Sequence, residues 1–163
     1  MLDVPQFRRL VLEPTLRRLA QVEPRLDVKA AHELLIGTAV KESLLTYLRQ
    51  LPDGPALGLY QMEPATHTDM RRWMMRPGRE AWREAIDGYV GAGERPIDAL
   101  VGDLRYATAM VRLRYWVRPA PLPAADDIMG LAHYWDRWYQ TVVDEHEPKV
   151  WARLYRQHCL ASA

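Results

Sequence analysis

Apolar residues recur three or four positions apart along most of this chain, and no apolar–polar alternation of useful length interrupts them. That spacing fits the 3.6-residue turn of a helix and not the two-residue repeat of a strand, so the chain reads as all-α. Phe7, Leu10, Val11, Leu16 and Leu19 mark a first helix over 6–20, which Pro14 interrupts. Asp27 is placed to cap a second helix running from about Val28 to Leu51. Further helices are expected over about 64–74, 79–90, 97–117, 124–141 and 148–158. Pro52-Asp53-Gly54-Pro55 reads as a turn, 56–62 as at most a tiny hairpin, and Pro119, Pro121 and Pro123 as a stiff linker. At 163 residues the chain is expected to form one domain, its core over about 28–141 with the helices at 6–20 and 148–158 packed on it.

Composition narrows the function. The net charge is +1, and the arginines are balanced by acids along the chain, so no nucleic-acid footprint is visible. No apolar run approaches the roughly 18–20 residues that span a bilayer. The lone Cys159 rules out an internal disulfide. Six Trp and eight Tyr against one Phe favour aromatics with a polar end, which suit a groove that stacks sugar rings and equally a core whose aromatics reach its rim. The start, M-L-D-V-P-Q-F-R-R, lacks the h-region of a secretory signal.

The residue with the clearest chemical promise is Glu42. Leu35, Thr38, Ala39, Glu42 and Leu45 share one face of the second helix, so this carboxyl sits among apolar neighbours. Such a setting disfavours the carboxylate and raises its pKa, as a general acid near neutral pH requires. Lys41 projects roughly 100° away and need not pair with it. Asp53, Glu63 and Asp69 are candidates for a second carboxylate, and no spacing singles one out. His32-Glu33 lacks a second histidine four residues on, and His133 with Asp136 completes no ligand set, so no metal is expected.

Glu42-Ser43, a short loop, and then Gly58-Leu59-Tyr60-Gln61-Met62-Glu63-Pro64-Ala65-Thr66 resemble the lysozyme-like lytic transglycosylases, which cleave the glycan backbone of bacterial cell walls. A third family element, an Ala-Tyr-Asn-like motif on a late helix, is matched by Ala132-His133-Tyr134-Trp135, with Trp135 in place of the Asn and the following glycine missing. The resemblance covers about residues 30–140. Segments 103–115 and 131–141 are similar to small proteins encoded by tailed bacteriophages.

The resemblance implies a lysozyme-like fold and a single catalytic acid, Glu42, which first protonates the leaving oxygen and then acts as base on the C6 hydroxyl of the substrate. It further implies that Ser43 holds the region around the acid, and that Gly58, Tyr60, Gln61, Thr66 and Tyr134 line the sugar site, with Tyr106 reaching it from the fifth helix. Thr66 reads equally as part of a helix start. No cofactor is implied. The expected partners are peptidoglycan glycan strands and, in a phage setting, other virion proteins. The chain would be made in the bacterial cytoplasm and carried to the wall, for instance within a virion. Two alternatives stay open: a lysozyme-type hydrolase using water, and a non-catalytic virion or tail component that keeps the scaffold.

Overall fold

The computed structural model describes residues 1–140 and 146–160. The first helix is built from α1 (Val4–Phe7), a π-helical turn (Arg8–Leu12) and α2 (Glu13–Leu19). Pro14 lacks an N–H, and the wider turn just before it, where Glu13 N–H reaches the Arg8 carbonyl, lets the chain pass without a break. Asp27 does not cap the next helix, as the sequence suggested. It meets His32 Nε2 at 2.6 Å instead, and Val28 takes the cap position with no side-chain bond.

That helix, α3 (Lys29–Ser43), is the axis of the molecule. Leu34, Leu35, Ile36, Ala39 and Val40 are all buried, so it is apolar nearly all round, as a central helix must be. α7 (Leu104–Trp116), α8 (Ile128–Tyr139) and α9 (Glu147–Tyr155) pack around it. Gly37 admits α9 closely: a Cβ there would lie 2.0 Å from the Trp151 ring. α4 (Pro64–Met74), α5 (Glu80–Asp87) and the short α6 (Ala99–Gly102) complete the set. One contiguous core runs from Val4 to Cys159. Among the described residues there is no sheet, only antiparallel bridges of Leu57 with Arg49 and with Met62. No helix among them is long and apolar enough to cross a membrane.

Two expected helices are shorter than their apolar spacing suggests, and in each case the chain has a local reason. The segment read as one helix over 97–117 is split by Asp103, whose carboxylate accepts the N–H groups of Arg105 and Tyr106 at 2.8 Å and starts α7 afresh. The helix read over 124–141 begins at Ile128, where Asp127 accepts the Gly130 N–H, and Thr141 lies outside the described residues.

The second helix ends at Ser43, not near Leu51. Leu44 and Leu45 both take the left-handed conformation at φ 51°, a costly choice for leucine that a tertiary constraint must hold in place. The turn puts Leu45 into the core with 1% exposure. Burial of Leu45 and the bond of Ser43 described below supply that constraint.

Candidate active site

Ser43 is fully buried, and its hydroxyl donates to the Leu59 carbonyl at 2.7 Å. This ties the end of α3 to the loop that re-enters the molecule. Within that loop Leu57 and Met62 exchange both backbone hydrogen bonds, at 3.0 and 2.9 Å. Gly58 at the start of the turn has φ +75°, and a Cβ there would meet the Leu100 carbonyl oxygen at 2.2 Å. Only glycine fits so close to another backbone. Tyr139, at the end of α8, donates its hydroxyl to the Tyr60 carbonyl at 2.6 Å. The loop is therefore held from α3 on one side and from α8 on the other.

Between these anchors lies a cavity of about 330 Å³. Glu42 lines it together with Gln61, Glu63, Thr66, Arg114 and Tyr139. The indole N–H of Trp135 donates to Glu42 Oε1 at 2.9 Å, and the Gln140 amide donates to the same oxygen at 3.2 Å. Among the described residues no donor meets Oε2. In the neutral acid the two donors favour Oε1 as the carbonyl oxygen, so the proton belongs on Oε2, the oxygen left for a substrate.

Burial raises the Glu42 pKa from the ordinary carboxylate range to about 7, with the negative charge of Glu147 adding to it. The Trp135 bond and the charges of Lys41 and Arg114 oppose that rise without cancelling it. Lys41 stays away from the carboxyl: its ammonium is 2.6 Å from Glu147 and 5.0 Å from the centre of the Trp135 ring. A carboxyl raised in this way toward neutrality suits a group that gives and then takes a proton.

No family model, curated protein or solved structure matches this chain.

Of the residues picked from sequence, Glu42, Gln61 and Thr66 meet in the cavity, and Ser43 and Gly58 shape its wall from behind. Three do not meet there. Tyr60 is 1% exposed with its hydroxyl 3.2 Å from Thr108 Oγ1, so it is a core residue that offers the loop only its backbone. Tyr106 is fully buried and bonds His67 Nε2 at 2.9 Å. His67 is itself 4% exposed. Tyr134 faces elsewhere, donating to the Ala120 carbonyl at 3.0 Å. Its expected place beside the acid is taken by Trp135 and Tyr139.

The signal for those two was present. Trp135 and Tyr139 are four apart and share one face of α8, whereas Tyr134 is turned about 100° from Trp135. Arg114 was also missed, and its own sequence neighbourhood does not mark it. Of the three candidate second carboxylates, Asp69 pairs with Arg72 on an exposed face at 3.3 Å, and Asp53 does not line the cavity. Only Glu63 does.

Proposed function

We propose that this chain is a peptidoglycan-cleaving glycosidase, a lytic transglycosylase that cuts the β-1,4 bond between N-acetylmuramic acid and N-acetylglucosamine. One observation carries the reading: a buried carboxyl lining a polar cavity, Glu42, is raised to about 7 by burial and has one oxygen held by two donors, with no donor on the other among the described residues. In the proposed reaction the Glu42 proton passes to the glycosidic oxygen as the C1–O bond breaks. The substrate's acetamido group stabilises the positive charge that develops. The Glu42 carboxylate then takes the proton of the C6 hydroxyl while that oxygen bonds to C1, leaving a 1,6-anhydro sugar. The setting proposed for this activity, on sequence resemblance alone, is a tailed bacteriophage whose virion delivers the protein to the wall.

Gln61 and Thr66 contribute polar groups to the cavity wall, and Arg114 contributes a cation. Glu63, on the same wall, supports a second reading in which it activates water and the protein is a hydrolase of lysozyme type. The Glu42 role is common to both. Release of soluble muropeptides from purified peptidoglycan tests it: Glu42→Gln should lose at least 10³-fold in rate while keeping its far-UV circular dichroism. Equal release by a folded Glu42→Gln would remove Glu42 from the mechanism.

A further inference from the structure

Tyr115 lines a second cavity, of about 440 Å³, which shares no lining residue with the Glu42 cavity. The Tyr115 ring connects the two, with its centre 5.5 Å from that of Tyr139 and 5.8 Å from that of Tyr134. Arg25, Arg112, Arg118, Trp116, Tyr134 and the 119–122 segment line this second cavity, and among the described residues no acidic one does. The hydroxyl bond from Tyr134 to the Ala120 carbonyl fastens the proline-rich segment that forms its rim.

The charge balance here is unusual. Arg112 is 3% exposed, and its guanidinium donates to the backbone carbonyls of Leu26 at 2.9 Å and Arg25 at 3.1 Å and lies 5.8 Å from the centre of the Trp116 ring. Arg118 has an enclosed Nε with no hydrogen-bond partner. Among the described residues neither has a carboxylate within ion-pair distance. Burial lowers the Arg112 pKa to about 10, and burial followed by the like charge of Arg114 lowers that of Arg118. Buried cations without a counter-charge are costly, and an anion bound beside them would offset part of that cost. Arg25 adds a third guanidinium, its charge centre 5.0 Å from the Trp116 ring; Glu23 holds its Nε and Nη2 at 2.9 and 3.0 Å, so Nη1 is the nitrogen left for a ligand. Guanidinium forks match the planar oxygens of carboxylate and phosphate, and Trp116 offers an apolar wall beside them.

We propose that this second cavity is an oxyanion-binding site, in which Arg118 and Arg25 hold a carboxylate or phosphate group, buried Arg112 supplies charge behind them, and Trp116 packs against the remainder of the ligand. The site does not depend on Glu42, so its existence stands or falls apart from the glycosidase reading.

Isothermal titration with inorganic phosphate and, separately, with N-acetyl-D-alanine, against chloride at equal ionic strength, tests the proposal. The wild type should bind at least one of the two saturably. Phosphate alone, or the carboxylate alone, names the source of the anion, and both together leave the site general for oxyanions. Arg118→Gln should weaken binding at least tenfold with an unchanged circular dichroism spectrum. Arg25→Gln, whose side chain is largely exposed and is not needed for the core, should weaken it several-fold. Glu42→Gln and the exposed Arg153→Gln should bind as the wild type does. Absence of saturable binding by either probe would overturn the proposal, as would unchanged affinity in both Arg118→Gln and Arg25→Gln.

Discussion

The Trp135 indole N–H lies 2.9 Å from Glu42 Oε1, joining the middle of α8 to the last turn of α3 across 93 residues of chain. A tryptophan that is fully buried thus spends its one polar atom on the carboxyl that carries the proposed chemistry. The bond favours the carboxylate and holds the Glu42 pKa below where burial alone would put it.

Replacing Trp135 with Phe removes that donor and leaves the Gln140 amide as the donor to Oε1. The Glu42 pKa should rise further, so the pH at which activity falls off on the alkaline side should move upward. A pH–rate profile of Trp135→Phe measures this directly. An unshifted profile would mean that the indole contributes packing alone.

Glu42 also links stability to pH. Its folded pKa of about 7 stands above the ordinary glutamate value of 4.5, so the folded state holds a proton that the unfolded chain releases. Stability from this group is present in full below about 4.5 and declines as pH rises toward 7. Glu42→Gln removes the dependence while keeping an oxygen for Trp135. The variant should be more stable than wild type by on the order of 3 kcal/mol above pH 7, the difference shrinking to near zero at pH 4. Urea unfolding at the two pH values checks it.

His67 acts in the opposite sense. Burial, followed by the charge of Arg71, lowers its pKa from 6.5 to about 4, so the unfolded chain takes up a proton that the folded one refuses. The stability it contributes is present above about 6.5 and is lost as pH falls through that range toward 4. Between those values the unfolding midpoint of His67→Gln should gain less with rising pH than the wild type's, leaving the opposing dependence of Glu42 exposed, and a slope equal to the wild type's would assign the acid sensitivity to another group.

Ser43→Ala leaves the Leu59 carbonyl without its partner in a fully buried place. The cost should be about 2 kcal/mol in unfolding free energy. Because the same bond fixes the loop bearing Gln61, turnover should fall as well, measured at a temperature where the variant remains folded. Loss of stability with unchanged turnover would confine Ser43 to the fold.

The all-α architecture was legible because helical periodicity is a local property, and so were most helix positions. The places where the reading failed are those set by long-range contacts. Nothing near Leu44 announces that two leucines will turn left-handed, since the cause is a serine bond to a residue sixteen positions on and the burial of Leu45. Asp27 looked like a cap from its neighbours, but His32 engages it. Glu42, Gln61 and Thr66 were legible from spacing and resemblance, and they do share one cavity. Tyr60, Tyr106 and Tyr134 were chosen as residue types, and a tyrosine's type does not say which way its helix or loop faces. Arg112 and Arg118 carried no local mark, because what sets them apart is that no carboxylate among the described residues lies within ion-pair distance.

The measurement that bears most directly on the central claim is mass spectrometry of purified peptidoglycan after incubation with the wild-type protein and with Glu42→Gln. The account predicts 1,6-anhydro-muropeptides from the wild type and none from the variant. Reducing-end muropeptides from the wild type would transfer the reaction to water and point to Glu63 as the activating base. No product from a folded wild-type protein that binds the glycan would contradict the glycosidase reading itself.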